Sequence, residues 1–289
     1  MKEAINTIIK NQEKNTHNLD DKNIYIKDGL KHCSICNKAL ETYLILPWAN
    51  ESKKVGCICK CKADMLRKQE EEERQRKKQK EIENLQKQSL LGSRYLQASF
   101  ETCFRGKNVD FDNAFIRCKK YCEVSNKVLE EGYGIYIFGD KGTGKTHITA
   151  CMVNELVKQG NTVLFTNFFE ISKMIRSTFN RTNSSENEMS FINKIANIDF
   201  LFIDDIGSEI LKKNDEDTWL QGVVFDVINK RYNNKKPTVF TSNHSLQELI
   251  TKRGIMTKTV DRILEMSNLI LKIEGASYRP EARQKELPF

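Results

Sequence analysis

From about residue 100 onward, short apolar runs alternate with longer amphipathic ones. The apolar runs are GIYIFG (134–139), TVLFTN (162–167), DFLFIDDIG (199–207), PTVFTSN (237–243) and LILKIEG (269–275). Each reads as a short strand, and DFLFIDDIG as a buried one. Between them lie HITACMVNELVKQG (147–160), FEISKMIRSTF (169–179), TWLQGVVFDVINKRYNN (218–234) and a segment containing TVDRILEMS (259–267). Their apolar positions recur near a period of 3.6, which predicts helices. A polar gap, RTNSSENE (181–188), follows the second of these helices. Strands separated by helices imply right-handed crossovers and a parallel sheet. The expected fold class is therefore α/β.

The first hundred residues have a different pattern. Residues 1 to about 31 are polar, with one weak apolar run. Five cysteines cluster between Cys33 and Cys61. From Lys62 to about Leu91 the chain is dominated by Lys, Glu, Gln and Arg, with no Gly or Pro. That stretch predicts an exposed helix supported by i,i+4 pairs such as Glu72–Arg76 and Glu73–Lys77. It lacks the apolar seam of a coiled coil. The organisation read from these shifts is an N-terminal region with a cysteine module over 1–61, a charged helical linker over 62–94, and an α/β domain over 95–289.

Composition narrows the possible partners. The net charge of +8 favours an anionic partner such as nucleic acid. No run of about eighteen apolar residues is present, so no spanning helix and no membrane partner is expected. The first residues, MKEAINTIIKNQEK, are too polar for a secretory signal, and a cytoplasmic location is expected. Nine cysteines in that reducing setting point to metal ligation or buried thiols rather than disulfides.

The chemistry concentrates at GDKGTGKT, Gly139 to Thr146, which fills G-x-x-x-x-G-K-[ST] at every fixed position. An apolar strand, Ile135 to Phe138, precedes it and a helix follows. Gly139, Gly142 and Gly144 allow a backbone wrap in which N–H groups of the loop, through Lys141 and Thr143, face phosphate oxygens. The helix N-terminus adds a favourable dipole. Lys145 can reach the β- and γ-phosphates, and the Thr146 hydroxyl can ligate magnesium. ATP and Mg2+ are the expected cofactors. About sixty residues on, the strand LFIDD ends in Asp204 and Asp205. Asp204 is placed to hold magnesium, and Asp205 to polarise an attacking water. Asn243, at the end of the next strand, is a candidate to sit between the γ-phosphate and that water, although Asn at a strand end is also ordinary turn chemistry.

Taken in series, GDKGTGKTHIT (139–149), LFIDDIGSE (201–209), TVFTSN (238–243), TVDRI (259–263) and GASYR (275–279) resemble the AAA+ ATPases, specifically the DnaC/DnaI-type helicase loaders and the related IstB-type ATPases. The resemblance spans roughly residues 95 to 280. It implies a parallel-sheet P-loop AAA+ domain, an αβα sandwich, with ATPase activity. It puts Asn243 at the sensor-1 position, Arg262 at the arginine-finger position serving a neighbouring subunit, and Arg279 at a sensor-2-like position. From the residues themselves, Arg262 and Arg279 read as surface arginines; their catalytic roles come with the resemblance.

The cysteines form CSIC, with Cys33 and Cys36, and CICKC, with Cys57, Cys59 and Cys61. Two close groups separated by such a gap have zinc-ribbon spacing. Phage-type DnaC-like loaders carry a similar CxxC then CxC ahead of a charged helix. On that basis the expected Zn2+ ligands are Cys33, Cys36, Cys59 and Cys61, with Cys57 or His32 as substitutes. Cys103, Cys118, Cys122 and Cys151 lie in apolar or helical surroundings and read as buried thiols.

The resemblance further implies a replicative DNA helicase held by the N-terminal region, single-stranded DNA, and self-association through AAA+ interfaces. Lys173 and Arg176, interleaved with Phe168, Phe169 and Phe179, suit a single strand, though aromatics at helical spacing equally face a core. The leading reading is an ATP-dependent helicase loader. The alternative is an IstB-like transposition-associated ATPase.

Overall fold

The computed structural model describes residues 23–46, 51–103, 106, 108–179, 188–208 and 215–278. Arg279 lies outside the described residues, as does most of the gap 181–188. The chain divides into two compact units at Lys77/Lys78.

The first unit holds two antiparallel hairpins. β1 (Ile24–Lys27) pairs with β2 (Leu30–Cys33), and β3 (Glu41–Leu46) with β4 (Glu51–Gly56). Asp28 and Gly29 turn the first hairpin with positive φ at both positions, the backbone that a tight two-residue hairpin requires. The unit's small core is Cys33, Leu40 and Cys59, with Ile24, Cys36 and Cys61 packed against it. Thiols thus make up most of its interior.

Helix α1 (Lys60–Gln88) runs for 29 residues, about 43 Å at 1.5 Å per residue. Most of it is exposed, as its composition predicts. Lys77 pairs with Glu73 at 2.8 Å, while Glu72 lies 4.0 Å from Lys68. The exceptions are Ile82 and Leu85, both buried, with Leu85 in the core of the second unit. The helix's last turns are therefore packed rather than solvated.

The second unit begins with a short 3-10 turn, Ser93–Tyr95, then α2 (Val109–Glu123) and α3 (Ser125–Glu131). The alternation follows: β5 (Gly134–Gly139), α4 (Lys145–Lys158), β6 (Val163–Thr166), α5 (Phe168–Phe179), α6 (Glu188–Asn197), β7 (Phe200–Ile206), α7 (Asp215–Asn233), β8 (Thr238–Ser242), α8 (Leu246–Thr251), α9 (Thr257–Met266) and β9 (Ser267–Ile273). The five strands form one sheet in the order β6-β7-β8-β5-β9, with every neighbouring pair parallel.

Successive residues of each strand enter different cores, as the period of two requires. Ile135, Ile137, Phe200, Phe202 and Val239 join α2 and α4 on one face. Tyr136, Leu201, Ile203 and Phe240 join α5, α6, α7 and α9 on the other. The result is the expected three-layer αβα sandwich. The four cysteines of this unit, Cys103, Cys118, Cys122 and Cys151, are all buried.

One buried charge organises the lower rim of the sheet. Arg231, fully buried on α7, donates to the carbonyls of Ile195 (3.1 Å), Ala196 (3.3 Å), Ile198 (2.7 Å), Asp199 (3.3 Å) and Pro237 (2.6 Å), and to Thr238 Oγ1 (2.9 Å). These acceptors lead into the N-terminal ends of β7 and β8. The guanidinium's planar fork of donors suits such a ring of carbonyls, and a buried cation requires one.

Candidate nucleotide-binding site and cysteine cluster

In a parallel sheet with all crossovers on its faces, the strand C-termini form the open rim where ligands bind. The P-loop leaves β5 at that rim. Gly139, Gly142 and Gly144 all have positive φ, at 137°, 84° and 95°. At Gly139 a Cβ would lie 2.0 Å from the Ile273 carbonyl oxygen, so only glycine lets the loop start beside β9. Thr143 closes the loop by donating to the Asp140 carbonyl at 2.9 Å. Lys145 is nearly buried, and its Nζ donates to the carbonyls of Gly139 (2.9 Å) and Asp140 (2.7 Å). Its charge is therefore held inside the loop, in the concavity where loop N–H groups can meet phosphate oxygens. Lys141 is exposed at the loop's outer edge.

The acid pair lies opposite. Thr146 Oγ1 is 3.3 Å from each Asp204 oxygen, and Thr241 Oγ1 donates to Asp204 at 2.5 Å. Burial pushes the Asp204 carboxyl above the usual range, reinforced by the neighbouring charge of Asp205 and opposed by the Thr241 and Thr146 hydroxyls. A carboxylate and a hydroxyl facing one another across a buried gap form a donor set suited to a hard, oxygen-seeking cation. Such a cation would also offset the burial of Asp204.

Asp205 has a φ of 55° in the left-handed region, which among non-glycine residues is uncommon and mostly taken by Asn, Asp and His. The β7–β8 register shifts between Ile203 and Ile206 at this point. The bend is held from β8: Asp205 N–H donates to Thr241 Oγ1 at 2.9 Å, and Asn243 Nδ2 donates to Asp205 Oδ1 at 2.7 Å. Unfavourable backbone geometry maintained by surrounding bonds is characteristic of functional positions. Asp204, Asp205, Asn243, Lys145 and Thr146 are thus brought to one rim. Thr241 joins them and was not singled out from the sequence. Its position near the C-terminal end of β8, just before Asn243, is the signal that could have found it.

Arg262 is not part of this constellation. On α9 it donates to Asn229 Oδ1 at 3.1 Å, pairs with Glu265, and lies 4.5 Å over the Tyr232 ring. These partners belong to α7 and α9, not to the P-loop or the acid pair. The segment before Arg279 does reach the P-loop. Tyr278 N–H donates to the Gly142 carbonyl at 3.0 Å, and the Tyr278 ring packs on Phe111. On α5, Phe168 is buried whereas Phe169 is 52% exposed. Lys173 lies 4.4 Å over Phe169 and pairs with Glu170, and Arg176 lies over Trp219.

In the first unit, the sulfurs of Cys33, Cys36, Cys59 and Cys61 all lie within 4.8 Å of one another. Cys33 comes from the end of β2, Cys36 from the turn after it, Cys59 from the residue before α1 and Cys61 from its first turn. Backbone N–H groups of Cys36 and Ile35 donate to Cys33 and lower its thiol to about 7. The hydrogen bond with Cys36, then burial, raises Cys61 to about 11. A thiolate stabilised by turn N–H groups beside three more thiols is a donor set that fits tetrahedral zinc. Cys57 and His32 are outside this group; His32 Nδ1 lies 3.0 Å from the Leu30 carbonyl and its ring stacks on Tyr25.

The family described as IstB-like ATP binding protein matches residues 49–286, the P-loop, acid pair and α9 included. This chain belongs to that family. Among its relatives is the replicative helicase loader DnaC of Escherichia coli (strain K12), 28% identical over 187 residues, which cover 62% of this chain and 73% of DnaC. The phage-like element PBSX protein XkdC of Bacillus subtilis is 27% identical over 176 residues, 60% of this chain and 63% of XkdC. A crystal structure of the DnaC helicase loader superposes with a TM-score of 0.50 at 27% identity, covering 63% of this chain and 99% of that one. The replication initiator DnaA bound to AMPPCP and single-stranded DNA shares the fold, with a TM-score of 0.51 at 22% identity over 65% of this chain and 52% of DnaA. The chain is a DnaC-type AAA+ ATP-binding protein. Among the described residues, no helix is long and apolar enough to cross a membrane.

Proposed function

We propose that this protein loads a replicative DNA helicase onto single-stranded DNA and couples that step to ATP binding and hydrolysis. The observation that carries this reading is the similarity to DnaC across the unit that contains the P-loop and its facing acid pair. The family takes its description from IstB, and a transposition-associated ATPase is the other reading. The relative DnaC, a replicative helicase loader, favours loading. Capture of the protein from its native cell, followed by mass spectrometry, tests the choice. A replicative helicase as the main partner supports loading; recovery of a transposase without helicase refutes it.

Within the site, the loop N–H groups and Lys145 bind the β- and γ-phosphates. Mg2+, when bound with ATP, neutralises phosphate charge, and Thr146 and Asp204 are the residues that would hold it. Asp205 accepts a proton from the attacking water, and Asn243 fixes the Asp205 carboxylate and the water's position. Arg262 serves the ATP of a neighbouring subunit, and Arg279 the nucleotide of its own. Lys173, Arg176 and exposed Phe169 contact single-stranded DNA by charge and stacking. Lys145→Ala is expected to weaken ATP binding by roughly 10–100-fold, the range for losing charge-assisted hydrogen bonds. Unchanged affinity in titration calorimetry would remove Lys145 from the phosphate site.

The first unit holds the helicase and depends on zinc at Cys33, Cys36, Cys59 and Cys61. A core of one leucine, one isoleucine and four thiols is too small to fold a module unaided. Cys36→Ser is expected to release that zinc and loosen the hairpins while ATP binding persists. Metal analysis together with proteolysis measures both effects; an intact, protease-resistant module free of metal refutes the role.

A further inference from the structure

A second group of soft ligands lies outside both sites. The ligand atoms of Cys103, His147 and Cys151 are all within 4.8 Å of one another. His147 and Cys151 are four residues apart on α4, so they share one helical face. Cys103 comes from the segment between the 3-10 turn and α2. Asn154, on the same helix, fastens the approach to that segment by donating to the carbonyls of Tyr95 (2.9 Å) and Ala98 (2.8 Å). The Tyr95 ring lies 6.2 Å from the His147 ring.

We propose that Cys103, His147 and Cys151 form a second metal site for a soft divalent cation of the zinc class, with water as fourth ligand. Tetrahedral zinc with bonds of about 2.3 Å to sulfur separates its ligand atoms by about 3.8 Å, so the observed spread needs only a small contraction. Charge favours the same outcome. Two thiolates and a neutral imidazole around a dication sum to zero, which a buried site tolerates, whereas a bare thiolate there is penalised. The site would tie the segment preceding α2 to the P-loop helix, immediately beyond Thr146.

The full-length chain titrated with cobalt(II) under reducing conditions tests this, because cobalt–thiolate absorption reports each site. Wild type is expected to bind two equivalents. Cys36→Ser/Cys61→Ser, which disrupts the first-unit cluster, should retain one. Adding His147→Ala or Cys103→Ser should weaken that remaining site by at least about 100-fold, since even loss of an outer partner of a metal ligand costs roughly 10–100-fold. His147 is only partly buried, so His147→Ala leaves the core intact, and circular dichroism verifies the fold. No thiolate absorption in Cys36→Ser/Cys61→Ser, or binding unmoved by His147→Ala, overturns the proposal. So does a Cys103–Cys151 disulfide in protein purified without reductant that binds a single equivalent after reduction.

Discussion

Arg262→Ala is expected to lower ATP turnover by about 10³-fold or more, and mixing it with Lys145→Ala should restore part of the loss. The magnitude is that of an arginine stabilising charge on a transferred phosphoryl group. The restoration follows from where the side chain lies. Its partners are Asn229, Tyr232 and Glu265, not the loop or acids of its own chain. If it acts across a subunit boundary, some interfaces in the mixture pair an intact Arg262 with an intact Lys145. Even a minority of such interfaces exceeds a background reduced a thousandfold. Turnover should also rise with protein concentration. The assay needs single-stranded DNA and the helicase present to bring subunits together. No recovery in any mixture, with wild type active at the same concentration, would show that Arg262 is not a trans-acting group. The Glu265 pair adds a constraint: Arg262 must exchange this partner for the neighbour's phosphate, so Glu265→Gln should leave the restoration intact.

Asp205→Asn should hydrolyse ATP about 10²–10⁴-fold more slowly while still binding it. That range is the contribution of a positioned general base. The substitution isolates the chemistry well. Asn is among the few residues that accept the left-handed backbone found here, so the bend after Ile203 persists. Asp204, Thr146 and Thr241, the group suited to a hard cation, are untouched. Nucleotide affinity by calorimetry should therefore stay near wild type as single-turnover hydrolysis collapses. Wild-type turnover in the variant would exclude Asp205 as the water-polarising group.

The strands were legible in the sequence because buried strands are continuous apolar runs: β5, β6 and β8 have little polar interruption, and β7 is apolar up to its acid pair. The edge strand β9 instead alternates, with Asn268, Ile270 and Lys272 exposed. The parallel sheet followed from their alternation with helices. Their lateral order did not, since nothing local in β5 states that it lies between β8 and β9. Helix α6 was missed. It follows a polar gap and carries its core in Ile192, Ile195 and Ala196 over just ten residues. Ile82 and Leu85 were lost in a run of charge, although their i,i+3 spacing marks a single anchoring turn. The P-loop and acid pair were legible because phosphate chemistry requires fixed residue types at fixed spacing. Arg231 was not: at the end of a helix reading INKRYNN it resembles any solvated base, and only the tertiary fold supplies its ring of carbonyls. The Cys103, His147 and Cys151 group was illegible for the same reason, since one member is over forty residues from the others. Phe168 and Phe169 are neighbours with opposite fates, and periodicity alone does not say which faces the core.

The clamp at Arg231 and the bend at Asp205 occupy opposite ends of the same strands. β7 and β8 therefore behave as cantilevers, anchored where they enter the sheet and loaded where they leave it. An anchored root lets the free end hold a posture that the backbone alone disfavours, because the strain cannot relax by sliding the strand. Damage at the two ends should then have different signatures. A defect at the root slackens the whole beam, and stability and chemistry fail together. A defect at the tip leaves the beam sound and removes only the work done there.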